Sequence, residues 1–203
     1  MAIRAVVFDV GNVLYDWHPR YLYEKLIDDP VELDRIVSVV MSNEWHWALD
    51  HGRVWADIEP DLIAKFPDDA DYIRAWGSRF GESIGDPIPG MHEIVRELDA
   101  ADVPIFGITN FPGEFWTPFR AKEAEIFDRF ANIVVSGEEG IAKPDPAIFQ
   151  LALKRFGLGP GEGLFLDDLA SNAEASEREG FAGHHFRDAE TAYADLVRRG
   201  LLG

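Results

Sequence analysis

The sequence contains no cysteine. Disulfides and thiolate metal sites are therefore excluded, which fits a reducing compartment. Positive charge is scarce: 19 Lys and Arg stand against 37 Asp and Glu, a formal charge of −18 at pH 7. A surface of that sign repels nucleic acid and anionic membranes, so neither is expected as a partner. An anionic substrate would have to find its positive charge inside the site. There is no apolar run of roughly eighteen residues, no charged-then-apolar signal pattern at the N-terminus, and no internal repeat or low-complexity tract. A soluble, cytoplasmic monomer or homodimer is expected.

What is present is a chain of 203 residues, 47% hydrophobic, long enough to bury a sizeable core without cross-links. Its first landmark is Ala5-Val6-Val7-Phe8-Asp9-Val10-Gly11-Asn12. The valine-rich run predicts a buried strand over 3–9, ending on a carboxylate and then on a Gly-Asn turn. An aspartate there can simply end the strand and cap the turn, or it can face a ligand. From Pro19 to Gly85 the pattern is helical, with helices expected over 20–28, 31–42, 57–66 and 69–81. The Gly85-Asp86-Pro87-Ile88-Pro89-Gly90 cluster that follows reads as a hinge. Beyond it Met91, Ile94, Val95 and Leu98 make one apolar helical face. Strands over 104–109, 132–135, 163–167 and 182–186 alternate with helices over 115–123, 146–156, 171–179 and 188–199. Asp145-Pro146 starts one of these helices and Gly157 ends it.

Strands separated by helices imply a parallel sheet with right-handed crossovers. The expected fold is α/β, a Rossmann-like open parallel sheet core over 1–14 and 86–203. A small helical cap over 15–85 is inserted after the first strand. In such a sheet the carboxyl ends of the strands lie on one edge, where ligands bind. Here those ends carry Asp9, Thr109-Asn110, Lys143 after the third strand, and Asp167-Asp168. Three carboxylates at one edge repel one another unless a cation intervenes, and Mg²⁺ is a hard cation suited to oxygen ligands.

Four segments, 8–14, 108–110, 141–146 and 165–172, match in order and spacing a known set of motifs. By these the chain resembles the haloacid dehalogenase superfamily of hydrolases over essentially its whole length. The resemblance implies that Asp9 is a nucleophile that forms an aspartyl-phosphate. It implies Mg²⁺ held by Asp9, Asp167, Asp168 and the backbone carbonyl of Gly11. Lys143 would offset charge between nucleophile and phosphate, while the Thr109 hydroxyl and the Asn110 backbone N–H would bind phosphoryl oxygens. Asn172 would support the metal waters or orient Asp168.

One position departs from that pattern. Phosphatases of the superfamily carry a second Asp, an acid–base group, two residues after the nucleophile; here Gly11 stands in its place. Such catalysis is worth roughly 10²–10⁴-fold. The Asp-x-Gly-Asn-Val pattern resembles a subgroup that includes sugar-phosphate phosphatases, notably glucose-1-phosphate phosphatases. A good leaving group needs less protonation, and His18, His46 or His51 offers an alternative proton donor. A metal-independent 2-haloacid dehalogenase is a second reading, opposed by Asp167-Asp168. A non-catalytic metal- and phosphate-binding regulatory module is a third. The aromatic residues Trp17, Trp45, Trp47 and Trp55, with Phe111, Phe115 and Trp116, suggest a pocket for a small phosphorylated molecule, with Trp47 and Trp116 as candidate walls. Trp55 and Trp76 are expected to pack the interior of the helical segment.

Overall fold

A computed structural model of the chain describes residues 2–203; residue 1, where the first core segment was expected to begin, lies outside them. Strand β1 (Ala5–Phe8) is buried at every position. The chain then passes through β2 (Tyr15–Trp17), α1 (Arg20–Tyr23), α2 (Pro30–Arg35), α3 (Asn43–Asp50), α4 (Trp55–Lys65), α5 (Ala70–Arg79) and β3 (Ile84–Pro87). Alternation follows in α6 (Met91–Ala100), β4 (Ile105–Thr109), α7 (Gly113–Lys122), α8 (Ala124–Phe127), β5 (Asn132–Val135) and α9 (Ser136–Glu139). It ends with α10 (Pro146–Phe156), β6 (Gly163–Asp167), α11 (Ala170–Arg178), β7 (Ala182–His185) and α12 (Ala189–Arg198).

Five strands form a parallel sheet in the order β5-β4-β1-β6-β7. The chain builds outward from β1 on one side and then returns to build on the other, so β1 borders the topological switch point. Phe8 lies opposite both Gly107 of β4 and Leu166 of β6. This register brings the carboxyl ends of the three central strands level, with Asp9, Thr109 and Asp167 along one edge. Alternation along β1 serves both faces: Val6 and Phe8 join one apolar cluster, Ala5 and Val7 the other. The first cluster runs without a break into Trp45, Trp55 and Trp76 of the helical segment, while the second packs against α10 through Ile148 and Phe149.

Local chemistry explains the best-formed elements. Met91, Ile94, Val95 and Leu98 are all buried on one face of α6. The Asp145 side chain caps α10 by accepting a hydrogen bond from Ala147 N at 2.8 Å, and Gly157 closes the helix in the left-handed region at φ 65°.

The helix expected over 20–28 forms only over Arg20–Tyr23, and three further segments differ from the sequence pattern. The proline–glycine stretch expected to be a hinge contains β3, which pairs antiparallel with β2, Tyr15 opposite Pro87 and Trp17 opposite Ile84. The two crossings between sheet and helical segment are thus stitched to each other. These strands are too short to show alternation, and Pro87 is tolerated because a two-stranded ribbon is all edge. The helix expected over 31–42 is α2 followed by a wider π-helical turn over Ile36–Val40. Helix α3 has no clear signal, because its Glu-Trp-His-Trp run mixes residues of middling helix propensity. Tertiary burial of Trp45 and Leu49, one turn apart, accompanies it instead.

Candidate active site

The site is organised by one ammonium group. Lys143 is fully buried, and its Nζ lies 2.8 Å from Asp9 Oδ2 and 2.7 Å from Asp167 Oδ2. It also donates to the Ile108 carbonyl at 3.0 Å, which uses all three of its protons. Burial opposes its charge, but the Asp167 and Asp9 carboxylates outweigh that cost and hold its pKa above the ordinary lysine value. Asp9 follows β1 directly, and its Oδ1 accepts from the Val10 backbone N–H at 2.7 Å. Burial raises the Asp9 pKa; Lys143 pulls it back down, and Asp167 and Asp168 push it further up.

Side chains fix this arrangement from behind. Asp167 Oδ1 accepts from Leu169 N and from Asn172 Nδ2, both at 2.9 Å, and Oδ2 accepts from the same amide at 3.1 Å. Asn172 therefore holds Asp167, so the expectation that it orients Asp168 is corrected. The Asn110 side chain clamps the lysine's own backbone, accepting from Lys143 N at 2.8 Å and donating to Lys143 O at 3.0 Å. That role for the Asn110 amide has no sequence signal, since its partner lies 33 positions away. Thr109 Oγ1 is buried and makes no hydrogen bond to the protein. A buried hydroxyl left unpaired is costly unless a ligand completes it.

The turn after Asn110 is held by a close backbone approach. Phe111 N donates to Ser136 Oγ at 3.1 Å, and Gly137 N donates to Phe111 O at 3.1 Å. A Cβ on Gly137 would fall 2.4 Å from Gly113 N and 2.7 Å from Phe111 O. Gly137→Ala is expected to lose about 1–3 kcal/mol in urea denaturation, since backbone cannot move aside as a side chain can. A Cβ on Gly11, by contrast, would meet nothing closer than Trp17 Cβ at 3.9 Å. Packing does not exclude a side chain at position 11.

The carboxylates fit a divalent cation. Asp9, Asp167 and Asp168 each offer an oxygen within 4.8 Å of the others, against the single ammonium of Lys143. Burial and the neighbouring Asp167 raise the Asp168 pKa, with Lys143 opposing them. Hard oxygen donors crowded at that spacing suit Mg²⁺. Among them Asp167 is the most committed, already accepting hydrogen bonds on both oxygens.

Asp9 opens into a cavity of about 310 Å³ whose walls include Trp17, His46, Trp47, Asp50, Phe80 and Phe111. Trp47 lines it and is 48% exposed. Trp116 does not: at 5% exposure it is packed edge-on against Phe111 and Phe127, behind the wall. Its expected substrate contact is corrected to a supporting one, because helical periodicity on α7 turns it to the interior. Trp55 and Trp76 are buried, Trp76 completely. Of the three histidines considered as proton donors, only His46 lines the cavity. Burial lowers its pKa to about 4, so near pH 7 it is neutral and has no proton to give as an imidazolium. His18 accepts from Arg20 N at 3.0 Å on the surface, and His51 Nδ1 lies 2.8 Å from Trp47 O. Asp50, at the end of the unpredicted α3, is the cavity residue that sequence patterns missed.

An open parallel sheet whose central strand ends gather a carboxylate–ammonium–carboxylate cluster is a Rossmann-like α/β architecture with an acidic centre. The chain belongs to the haloacid dehalogenase-like hydrolases, whose family model matches residues 3–180. It is 28% identical over 213 residues to the sesquiterpene phosphatase astK of Aspergillus oryzae, covering 98% of this chain and 97% of that protein. The HAD family enzyme bt-2542 from Bacteroides thetaiotaomicron, solved as a complex with magnesium and inorganic phosphate, superposes with a TM-score of 0.67 at 18% identity, covering 92% of this chain and 96% of the other. An L-2-haloacid dehalogenase from Xanthobacter autotrophicus gives 0.63 at 18% identity, covering 97% and 83%. At such identities the structures share the fold, and the chemistry has to be argued from the residues. Among the described residues no helix is long and apolar enough to cross a membrane.

Proposed function

We propose that this hydrolase is a Mg²⁺-dependent phosphatase of a small phosphorylated metabolite, acting through an aspartyl-phosphate on Asp9. The observation that carries the reading is the Lys143 ammonium between Asp9 and Asp167, beside a buried Thr109 hydroxyl with no protein partner. A dianionic phosphoryl group meets a carboxylate nucleophile only where its charge is offset. Lys143 supplies that offset next to the attacking oxygen, and the Thr109 hydroxyl and Asn110 N–H would hold the remaining phosphoryl oxygens. Asp9, Asp167 and Asp168, with the Gly11 carbonyl, would hold Mg²⁺, which supplies Lewis-acid stabilisation of the phosphoryl oxygens when bound. The phosphatase name of the Aspergillus relative supports the same reading. A metal-free attack on a carbon–halogen bond would have no use for the additional carboxylates Asp167 and Asp168.

Residues 15–85 are proposed to act as a cap domain over a core formed by 1–14 and 86–203. Trp17 and Trp47, on the walls of a cavity of about 310 Å³, favour a small, partly apolar substrate, a sugar phosphate among them. The test is a parallel assay of phosphate and halide release over a substrate panel, with Mg²⁺ and with chelator. Phosphate release that needs Mg²⁺ is the expected result. Halide release that persists in chelator would establish the dehalogenase reading instead.

A further inference from the structure

We propose that Asp50 is the general acid and base of this site, supplied from α3 to the cavity that Asp9 also lines. The inference rests on the phosphatase reading and answers the question that Gly11 raises. Asp50 is buried, lines the same cavity as Asp9 and Gly11, and its Oδ1 makes no hydrogen bond. Structure alone gives it no purpose. It caps nothing, and a carboxylate in the last turn of a helix opposes the helix dipole. Burying it without a partner costs stability that a leucine would not.

The other ionisable groups on the cavity wall are each committed. Asp9 and Asp168 belong to the charge cluster already described. The Tyr15 hydroxyl is bonded to Glu123 Oε2 at 3.1 Å, and burial beside that carboxylate holds its pKa far above neutrality. His46 is neutral near pH 7. Asp50 differs: burial, against a partial pull from Lys143, lifts its pKa to about 7. Of the acidic residues on α9, which packs against α3, Glu138 is exposed and Glu139 is bound to Arg155 at 2.6 Å. A group poised near neutrality can both give and take a proton within one turnover.

In the first step an Asp9 carboxylate oxygen attacks phosphorus and the bond to the leaving oxygen breaks. Protonated Asp50 gives that oxygen its proton, and the alcohol departs. Ionised Asp50 then takes a proton from water, whose oxygen attacks the phosphorus of the aspartyl-phosphate. The bond to Asp9 breaks, inorganic phosphate leaves, and Asp50 is protonated again.

The experiment uses p-nitrophenyl phosphate with Mg²⁺, comparing the wild-type chain with Asp50→Asn. The p-nitrophenolate leaving group needs no proton, so the first step survives the substitution and the second does not. The variant is expected to release one equivalent of p-nitrophenolate in a burst, then turn over about 10²–10⁴-fold more slowly than wild type, with the phosphorylated chain visible by mass spectrometry. Steady-state turnover within about threefold of wild type, or slowing with no burst and no phosphorylated chain, overturns the assignment. If Asp50→Asn lacks the native melting transition, Asp50→Glu and Asp50→Gln decide the question: equal lengthening, one acid. Glu at least about tenfold faster than Gln supports the role; equal rates overturn it. Wild-type chain inactive on this ester and on the wider phosphate panel would overturn the phosphatase reading as well, whereas an active wild type matched by Asp50→Asn overturns Asp50 alone.

Discussion

Asp9→Asn is expected to abolish turnover while leaving the fold intact. Asparagine has nearly the shape of aspartate, and its one side-chain oxygen can keep either the hydrogen bond from Val10 N at 2.7 Å or the contact with Lys143 Nζ at 2.8 Å, while its NH₂ takes the other place. The amide, however, cannot attack phosphorus to form an acyl phosphate. Removing a nucleophile whose partners act with it as a unit costs at least about 10⁴-fold in kcat. Phosphate release under saturating substrate and Mg²⁺ measures the loss, and thermal melting checks the fold. The stability effect has the opposite sign. Asp9, Asp167 and Asp168 crowd within 4.8 Å, so replacing one carboxylate by a neutral isostere removes like-charge repulsion. In chelator the variant should melt no lower than wild type. Ordinary turnover by Asp9→Asn would remove Asp9 from the nucleophile's place.

The arrangement around Asp9 is legible in sequence to the extent that it is local. Each of Asp9, Thr109 and Asp167 sits at or just after the end of an apolar run, and parallel pairing alone aligns those ends. Lys143 is marked by the Pro-Asp-Pro that follows it, where Asp145 caps α10. What stays hidden depends on contacts between distant segments. The amide of Asn110 is spent on the backbone of Lys143, and that of Asn172 on Asp167, pairings that no spacing rule distinguishes from others nearby. Trp47 and Trp116 look alike in sequence, yet one lines the cavity and the other is buried against Phe127, a difference set by which face of each helix is covered. Asp50 is the sharpest case. Its helix has no clear periodic signal, and an acidic residue in a chain with 37 of them attracts no notice until burial singles it out. The residue missing at position 11 is visible at once; the one proposed to replace it requires the fold.

Lys143→Met is expected to be the most damaging single change to stability. Methionine keeps the length of the side chain and its packing near the Phe165 ring, which Lys143 Nζ approaches at 5.3 Å. It removes the charge that sits 2.8 Å from Asp9 and 2.7 Å from Asp167, and it leaves the Ile108 carbonyl without its donor. Two buried carboxylates then face each other uncompensated. Breaking a buried ion pair by deleting one partner costs about 3–5 kcal/mol, a large share of the 5–15 kcal/mol or so that holds a typical domain together. Arginine is no substitute, since its planar fork cannot occupy the space of a point charge with three donors. Urea denaturation in chelator should show the full loss. Repeating it with Mg²⁺ separates two causes: if repulsion between the carboxylates dominates, the cation recovers part of the stability, because it supplies the positive charge the variant lacks. If Mg²⁺ recovers nothing, the loss lies in the cavity and the orphaned carbonyl instead. Catalysis should not return with stability. On the proposed mechanism Lys143 would offset charge at the attacking oxygen, so turnover should remain at least about 10²–10³-fold down even in saturating Mg²⁺.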